Sequence, residues 1–482
     1  MCKSGRAYTL GYQTVRLFVL YLDPGLGHLI TFGSTRSGKG AGQIVTNLLN
    51  WPGSVVVLDI KGENYLRSAG WRATKLNHQV YRFSPFEAHT DVWNPLLSIR
   101  TRLEGEPPLT FNERCQEEED TRYLANLLIA PSGSQHDRFW EDKAKALLVG
   151  LLLHVRTTPL DTHPRDGATD HSVHERSMYE VARLAALETD DFSSLLEDMR
   201  KSTRTLIRQV GTSFQGYLAH EGKLGLSIQA SLLQHLDVWS YERIRRATYQ
   251  AAESPGAEPT PNAFEFETLR NGKTSLYLVI PPEYLAEYRA VLRVLVGCGI
   301  RQLKESYVSA RTQAPLKDQP PVLFLLDEFP QLAYLSPIAE GLAYLAGYDI
   351  RLWLFLQDIN QLRIHYPDAW GSFLANTEFK CFFGVNDIDT AKLVSEMTGT
   401  LNAGDITQLI PGVIRIDPSP LKDFVTGRYL LTPDEVMRMP PTKQMVFGKG
   451  LKPMYLDLTP FYRLESQLQK SQIPPPHPIN FI

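Results

Sequence analysis

The sequence has few cysteines and no pattern among them. Only four occur in 482 residues, at Cys2, Cys115, Cys298 and Cys381. None of them forms a Cys-x-x-Cys pair or follows the spacing of a zinc site. These absences argue against a disulfide framework and against a cysteine-ligated metal, and they predict buried thiols in a reducing compartment.

Long apolar runs and an excess of charge are also missing. No segment reaches the roughly 18 apolar residues of a membrane-spanning helix. The most apolar runs, 15–22 and 144–155, are short and contain charged residues. The net charge of −3 excludes a global basic field, so nucleic-acid binding would need a local patch. We expect the chain, as given, to be soluble.

What the sequence does contain is an α/β pattern split by a helical block. Short apolar runs of strand type alternate with helical segments in 1–112 and 266–470, a pattern typical of a mostly parallel sheet. Residues 113–265 have mostly helical periodicity, including one predicted helix over 191–208. We therefore predict a two-part P-loop domain (1–112 and 266–470), an inserted all-α domain (113–265) and a Pro-rich, extended or mobile tail (471–482).

The segment TFGSTRSGKGAGQ (31–43) has the spacing of a phosphate-binding P-loop. An apolar strand precedes Gly33-x-x-x-x-Gly38-Lys39 and a helix follows it. In such a loop backbone N–H groups turn toward phosphates, and the lysine reaches the β- and γ-phosphates. The alternative is a merely structural glycine-rich turn. The predicted nucleotide-binding residues are Gly33, Ser34, Thr35, Arg36, Ser37, Gly38, Lys39, Gly40 and Ala41.

The loop departs from the P-loop pattern at one position. Where the pattern has Ser or Thr, whose hydroxyl holds Mg²⁺, this chain has Gly40. The segment is therefore a chance match, an inactive loop, or a working loop that takes its metal ligand from elsewhere. Thr35, Ser37 and Asp59 are the groups that could replace the hydroxyl.

The segment VLFLLDEF (322–329) has the form of a Walker B strand. An apolar strand ends in Asp327 and Glu328, and ligands of open α/β sheets bind at the carboxyl edge of the strands. Asp327 would hold Mg²⁺ and Glu328 would polarise the attacking water. A strand followed by an acidic helix cap is the alternative.

Two other strand ends carry polar residues. Gln357 closes the apolar run LWLFLQD (352–358) and would contact the γ-phosphate or the water, unless it is only a turn residue. Asp59, Lys61 and Glu63 follow the run after the P-loop helix. They would support the metal or phosphate site, with Asp59 a possible metal ligand, or they lie in a solvated loop.

Basic residues form two clusters in the helical block. Arg200, Arg204 and Arg208 are spaced i, i+4, i+8, which predicts one stripe on one helix. Arginines at 243, 245 and 246 lie near two tyrosines. Both clusters could contact DNA phosphates or a partner, and solvated basic faces are the alternative.

Several segments together resemble the TraG/TraD-type coupling proteins of type IV secretion and conjugation. The similar segments are GSTRSGKGAG, NWPGSVVVLDIKGENY, FLLDEFPQL, AGYDIRLWLFLQD and GRYLLTPDEVMRMP. The resemblance implies a RecA/FtsK-like P-loop ATPase with an inserted all-α domain, using ATP and Mg²⁺. It also implies a homo-hexamer at the cytoplasmic face of the bacterial inner membrane. Many members of this branch read Ser-Gly-Lys-Gly, so Gly40 becomes a branch trait.

The chain departs from that family in its N-terminal region. Members usually carry N-terminal transmembrane helices, which we do not find here, so the chain as given is expected to be cytoplasmic or peripheral. A truncated gene, a miscalled start and a soluble paralogue stay open. A ring ATPase also offers an arginine across the subunit interface. Arg351 and Arg363 are the two candidates in this chain.

The expected function follows from the resemblance. The leading hypothesis is an ATPase, with Lys39, Glu328 and Gln357 catalytic, that recruits relaxase–DNA or effector proteins to a secretion channel and drives their transfer. The alternatives are a nucleotide-gated substrate receptor without strong turnover, or an anchor-less remnant of such a protein.

Overall fold

The computed structural model describes residues 27–130, 135–161, 171–220, 222–249, 262–313, 321–401 and 428–479. Its strands, in chain order, are β1 His28–Gly33, β2 Val55–Leu58, β3 Gln79–Phe83, β4 Thr274–Leu278, β5 Val322–Leu326, β6 Ile350–Leu356, β7 Thr377–Phe383, β8 Thr400–Leu401, β9 Arg428–Tyr429, β10 Lys443–Gly448 and β11 Met454–Asp457. Its helices are α1 Val45–Leu48, α2 Glu63–Thr74, α3 Phe111–Leu128, α4 Gln135–Thr157, α5 Met178–Ala185, α6 Thr189–Lys201, α7 Thr205–His220, α8 Gly222–Leu236, α9 Glu242–Thr248, α10 Leu285–Gln313, α11 Ser336–Gly341, α12 Ile359–His365, α13 Trp370–Asn376, α14 Ile388–Thr398, α15 Pro433–Met437 and α16 Glu465–Ser471.

The chain divides into two compact units. The first unit contains the residues up to Trp51 and Trp353–Ile473, and the second contains Pro52–Leu352 and Pro474–Ile482. No helix in the described ranges is both long and apolar enough to cross a membrane. The predicted boundaries of an inserted all-α domain follow a different division of the chain, and they stay a prediction.

The first unit is built on a mixed sheet with β1 near its centre. Its strand order is β11-β10-β7-β1-β6, and β1 pairs in parallel with both β6 and β7. All six residues of β1 are buried. At the edge β10 runs antiparallel to β7 and to β11. Strand β11 was not predicted from the sequence. It is a four-residue edge strand without a fully buried residue, so it lacks the long apolar run that marks a central strand.

The second unit has a fully parallel sheet. Its order is β5-β2-β4-β3, with β2 paired in parallel to both β5 and β4. The β-branched run Val55–Val57 is completely buried, as expected where helices cover both faces of a parallel sheet. Leu58 pairs with Leu326, so β2 and β5 end side by side at one edge of the sheet. The predicted α/β class with a mostly parallel sheet is confirmed.

The helices α3 to α9 occupy most of 111–248, and one of their predicted bounds is wrong. The single helix expected over 191–208 is two helices, α6 and α7, separated at Ser202. Ser202 leaves the helical conformation, with ψ of 144°, and its hydroxyl accepts a hydrogen bond from the backbone N–H of Arg204. A serine side chain that bonds to the local backbone competes with helical hydrogen bonds, which explains the break.

The described part of the Pro-rich tail is held against the second unit. The Tyr65 hydroxyl donates to the backbone carbonyl of His477 at 3.0 Å, and Arg82 donates to the same carbonyl at 3.3 Å. The expectation of an extended or mobile tail stays a prediction; in the described residues, backbone carbonyls on the tail accept hydrogen bonds from side chains of the second unit. Residues 480–482 lie outside the described part.

Candidate nucleotide-binding site

The P-loop leaves β1 at Gly33 and depends on tight backbone packing. A Cβ on Gly33 would lie 2.9 Å from Ser37 Oγ and 3.0 Å from the Phe383 ring, so a larger residue there would force these side chains to shift. Gly38 has φ of 97°, a left-handed conformation that glycine adopts without strain, and Arg36 has φ of 62°. A hydrogen bond from Ser37 N to Ser34 O at 3.2 Å closes the loop.

Lys39 is held at this loop and begins the helical segment that follows. The segment is π-helical over Lys39–Ile44 before it continues as α1. The side chain of Lys39 is buried, and its Nζ donates to the Gly33 carbonyl at 2.8 Å. The ammonium group therefore lies at the loop backbone, where a phosphate-binding lysine is needed.

Buried polar contacts anchor the π-helical segment to the sheet. Thr31 on β1 accepts a hydrogen bond from the Trp353 indole at 3.0 Å and donates to Gln43 at 2.9 Å. Gln43 in turn donates to Gln444 on β10 at 2.9 Å. Buried hydrogen-bond chains of this kind fix one arrangement of the groups they join, so the loop is held rigidly.

One glycine beside the loop was missed from the sequence. Gly384 follows β7 with φ of +55°, and a Cβ there would lie 2.6 Å from Ser37 Cβ and 3.3 Å from Ser34 Oγ. Its signal was present in the sequence, because a glycine closes the apolar run CFFG. Gly384 lies 350 positions after Ser34 in the sequence, so only the pairing of the strands shows that it contacts the P-loop.

The structure brings the predicted sensor Gln357 to the P-loop. The Thr35 hydroxyl donates to Oε1 of Gln357 at 3.2 Å. The backbone N–H of Gln357 donates to the Gln361 side chain at 2.9 Å, and Asp358 caps α12. These contacts fix the Gln357 backbone at the end of β6.

The structure separates the two hydroxyls proposed to replace the one absent at Gly40. The Thr35 hydroxyl is bonded to Gln357, whereas Ser37 Oγ is buried and has no hydrogen-bond partner among the described residues. A buried, unpartnered oxygen in the P-loop fits a group that contacts phosphate or Mg²⁺. A Cβ added to Gly40 meets no heavy atom within 4 Å, so a larger side chain fits there.

The second unit carries the predicted carboxylates at adjacent strand ends. Asp59 and Asp327 directly follow the paired residues Leu58 and Leu326. Asp59 is 1% exposed, and its carboxylate accepts from Tyr65 N at 2.7 Å. Burial raises the pKa of Asp59 from 3.8 to about 7, and the nearby negative charge of Asp327 adds to this rise. Two neighbouring carboxylates in a site of low solvent exposure can share a divalent cation.

The rest of the predicted acidic loop lies in solvent. Lys61 and Glu63 are exposed, whereas Gly62 between them is buried with φ of 70° and opens α2. Of the three charged residues in this loop, Asp59 is therefore the one that belongs to the strand edge. The other two match the alternative of a solvated loop.

Glu328 has an unusual backbone conformation. Its φ and ψ are 53° and 47°, the left-handed region that non-glycine residues rarely adopt. Arg289 on α10 donates from Nε to the carbonyl of Gln331 at 2.9 Å and so contacts the turn that follows. Strained residues of this kind are concentrated at functional sites. Arg289 was not found from the sequence, because it lies 39 positions before Glu328.

The two candidate trans-acting arginines have different surroundings. Arg351 is 3% exposed and donates to the Ala346 carbonyl at 2.7 Å, so it has no accessible path to a second subunit. Arg363 is half-buried, with its guanidinium 4.6 Å from the centre of the Trp370 ring. The burial of Arg351 argues against it, and the role of Arg363 stays a prediction.

The predicted arginine stripe is also wrong in its geometry. Arg200 lies near the end of α6, Arg208 lies in α7, and Arg204 lies in the connection between the two helices. Arg204 forms a salt bridge with Glu117 at 3.1 Å, with both side chains largely buried. Arg204 is therefore a structural residue. The exposed Arg200 and Arg208 keep the predicted DNA or partner contact as a prediction.

The residues present fit a nucleotide and a magnesium ion. In the first unit, the P-loop, Ser37 and Gln357 fit a nucleotide; in the second unit, the carboxylates of Asp59, Asp327 and Glu328 fit a magnesium ion. Oxygen donors of carboxylate and hydroxyl type are those Mg²⁺ prefers. The unpartnered Ser37 oxygen is the observation that favours this fit.

Relatives of this chain match it over nearly its whole length. The family model described as type IV secretory system conjugative DNA transfer matches residues 6–478. Conjugal transfer protein TraG of Escherichia coli is 29% identical over 462 residues, which cover 92% of this chain and 66% of TraG. Protein VirD4 of Agrobacterium fabrum is 27% identical over 470 residues, which cover 95% of this chain and 62% of VirD4. The chain thus spans less than two thirds of the length of these relatives.

Solved structures of the plasmid coupling protein TrwB share the fold. TrwB in complex with the non-hydrolysable ATP analogue ADPNP matches with a TM-score of 0.62 at 14% identity, over 94% of this chain and 87% of TrwB. TrwB with ADP and Mg²⁺ matches with a TM-score of 0.61 at 14% identity, over 90% of this chain and 85% of TrwB. These matches confirm the RecA-like α/β class, and the predicted resemblance to coupling proteins is confirmed by the family match. The chain belongs to the family of type IV secretory system conjugative DNA transfer proteins.

Proposed function

We propose that this chain is an ATPase coupling protein that recruits relaxase–DNA or effector proteins to a type IV secretion channel and drives their transfer. The observation that carries the proposal is the hydrogen bond of 3.2 Å between Thr35 in the P-loop and Gln357. It places Gln357, the residue proposed to orient the attacking water, at the proposed phosphate-binding loop. Two further findings support the proposal. One relative is named a conjugal transfer protein, and TrwB structures of the same fold contain bound ADPNP or bound ADP with Mg²⁺.

In the first unit, the P-loop binds and orients the phosphates of ATP. The backbone N–H groups of Gly33–Ala41 donate to them, and Lys39 places its positive charge at the β- and γ-phosphates. Gln357 orients the attacking water beside the γ-phosphate. The rigid anchoring of the loop through Thr31 and Gln43 keeps these donors in place before ATP arrives.

In the second unit, the carboxylates act on the metal and on the water. Glu328 accepts a hydrogen bond from the attacking water and draws its proton. Asp327 would hold Mg²⁺, with Asp59 as a further ligand at the same sheet edge. In the first unit, Ser37 would offer the hydroxyl that is absent at Gly40. Mg²⁺, when bound, neutralises negative charge on the phosphates.

The assembly and location follow the family expectation. We propose a homo-hexamer at the cytoplasmic face of the bacterial plasma membrane, with Arg363 offered to the site of a neighbouring subunit. A half-buried guanidinium beside Trp370 is accessible enough for that role, in contrast to Arg351. DNA and components of the secretion channel are the proposed partners.

A second candidate function, a nucleotide-gated receptor, is favoured by a cavity in the helical part. The cavity has a volume of about 560 Å³ and lies between the segment 103–109, the start of α3 and residues 203–206. Four carboxylates and two arginines line it, and Arg204 is already paired with Glu117. The excess negative charge suits a basic segment of a partner protein.

Nucleotide binding tests the proposal most simply. The purified full chain is expected to bind ADP in a Mg²⁺-dependent manner, and Lys39→Ala is expected to lose most of this binding. Lys61→Ala is the matched control, because Lys61 is an exposed lysine outside the P-loop. Equal binding by all three chains would contradict the proposal. Partner binding that survives in Glu328→Gln and is lost in Glu106→Lys would favour the receptor.

A further inference from the structure

The C-terminal segment 474–479 contacts the turn that holds Asp59. We call this segment the strap and residues 59–65 the Asp59 turn. A Cβ on Gly62 would lie 2.6 Å from Cδ1 of Ile479, so Ile479 packs directly on Gly62. The strap therefore contacts the Asp59 turn at Gly62, where there is no room for a Cβ atom.

Tyr65 connects the strap to the Asp59 carboxylate. Its backbone N–H donates to Asp59 at 2.7 Å, and its hydroxyl donates to the His477 carbonyl at 3.0 Å. The backbone N–H of His477 donates back to the same hydroxyl at 3.3 Å. One residue thus bonds to the carboxylate through its main chain and to the strap through its side chain.

Arg82 holds the next part of the strap. Its guanidinium donates to the carbonyls of His477 and Pro478 at 3.3 Å, and it lies 4.7 Å from the centre of the Tyr65 ring. Glu87 pairs with Arg82 at 3.0 Å, with both side chains almost fully buried. A buried guanidinium fixed by a carboxylate is a rigid donor, so it recognises the strap backbone rather than a side chain.

His89 contacts the strap through its imidazole ring. The rings of His89 and His477 lie 3.8 Å apart between their centres. Before the strap, the chain forms α16, where Gln467 and Lys470 both bond to Asn50, just after the P-loop helix. The chain therefore runs from an anchor near α1 to an anchor on the Asp59 turn, with three consecutive prolines from 474 to 476 limiting its flexibility.

We propose that the strap positions the Asp59 turn and thereby sets the affinity of the site for Mg²⁺-nucleotide. The positioning follows from the contacts of Ile479 with Gly62 and of His477 with Tyr65. Its effect on nucleotide rests on the proposed function. Without the strap, the first turn of α2 loses the packing on Gly62 and the fixed Tyr65 side chain, so its hydrogen bond to Asp59 opens more often.

The test compares three full-length-derived chains. One is the complete chain, one ends at Ile479 and keeps the strap, and one ends at Ser471 and lacks it. Hydrogen exchange at the amides of the Asp59 turn is measured together with the thermal midpoint and with Mg²⁺-dependent binding of ADP. In the chain ending at Ser471, exchange at Tyr65 N is expected to rise about five- to tenfold, as for the loss of roughly one hydrogen bond. ADP binding is expected to weaken by a similar factor.

A synthetic peptide of residues 472–482 distinguishes positioning from general stability. Added to the chain ending at Ser471, it is expected to restore slow exchange and ADP binding. Tyr65→Phe, which keeps the ring and the backbone N–H, is expected to show an intermediate effect. Unchanged exchange on truncation, or a rise throughout the second unit that the peptide does not reverse, would overturn the proposal. Failure of the complete chain to bind ADP would instead overturn the proposed function, and the exchange data would still decide on the strap.

Discussion

The hydroxyl of Thr35 donates a hydrogen bond to the side-chain oxygen of Gln357 at 3.2 Å. Thr35 lies at the tip of the P-loop and Gln357 at the end of β6, and both belong to the first unit. Because of this contact, a movement of the P-loop on nucleotide binding would also displace Gln357, the residue proposed to orient the water. The contact also occupies the hydroxyl of Thr35, whereas the buried Ser37 hydroxyl has no hydrogen-bond partner among the described residues.

Removing the Gln357 amide is expected to slow hydrolysis more than it weakens binding. In Gln357→Leu the water loses its orienting group, so kcat for ATP falls about 100-fold while ADP affinity changes less than about threefold. Thr35→Val, which removes the hydrogen-bond donor to Gln357, is expected to have a kcat between that of Gln357→Leu and that of the wild type. Thr35→Ser, which keeps the hydroxyl, serves as the control. A fall in ADP affinity equal to the fall in kcat would contradict the assignment.

Adding a hydroxyl at Gly40 is expected to be tolerated and to strengthen Mg²⁺-dependent binding. A Cβ at this position meets nothing within 4 Å, so Gly40→Ser fits without repacking. The new hydroxyl stands where the P-loop pattern places its metal ligand. We expect ADP affinity in Mg²⁺ to rise about three- to tenfold over Gly40→Ala, measured by calorimetry.

Gly42→Ala gives the contrasting case for this helix. A Cβ on Gly42 would lie 2.6 Å from Leu458 Cδ1, so either the Leu458 side chain or the loop helix must shift. We expect this variant to lose about 1–3 kcal/mol of unfolding free energy, as overpacking does. Gly40→Ala is expected to be neutral or slightly stabilising, since alanine is the better helix residue. Equal unfolding midpoints for the two variants would contradict the packing described around the loop helix.

The buried carboxyl of Asp59 predicts a pH dependence of stability. Its pKa is about 7 in the folded chain, chiefly because of burial, against 3.8 when exposed. Between these values the folded chain holds a proton that the unfolded chain has released. The contribution to stability is therefore complete below 3.8 and is lost as the pH rises through 7.

Asp59→Asn isolates this effect, because it keeps an oxygen for Tyr65 N and cannot ionise. Urea unfolding without metal at about pH 5 and about pH 8 is expected to show that the wild type loses stability relative to the variant as the pH rises. A stability difference that stays constant over this range would rule out an elevated Asp59 pKa.

Two arginines close in sequence are expected to behave differently. Arg204 is paired with Glu117, and the side chains are 13% and 7% exposed, so Arg204→Ala leaves a buried carboxylate without its positively charged partner. We expect a loss of about 2–4 kcal/mol in unfolding free energy, because removing one partner of a buried pair is costly. Arg200→Ala, at an exposed site, is expected to change stability by less than about 0.5 kcal/mol. Similar losses for both variants would contradict the different surroundings of the two arginines.

Local sequence was enough to predict the central strands and the loop itself. The apolar runs that end at Gly33, Asp327 and Gln357 are continuous and bounded by turn residues, and each forms a buried strand. Contacts between distant positions could not be predicted in this way. Gly384 contacts the P-loop, and Arg289 contacts the turn after Glu328, only because of strand order and helix packing, which no local pattern encodes.

The arginine stripe shows the opposite failure. Spacing alone placed three arginines on one helical face, but spacing carries no information about where a helix ends. The helix ends at Ser202, whose hydroxyl accepts a hydrogen bond from the backbone N–H of Arg204. Arg204 pairs with the buried Glu117 instead of lying on an exposed helical face. Tertiary contacts overrode the local pattern, as they often do.

The most direct measurement is steady-state ATP hydrolysis by the purified chain with and without DNA, in parallel with Lys39→Ala and Glu328→Gln. We expect hydrolysis that DNA stimulates. We expect Lys39→Ala to lose both nucleotide binding and turnover, and Glu328→Gln to keep binding while turnover falls about 100-fold or more. Unchanged hydrolysis in both variants would contradict the central claim that this site is a working ATPase.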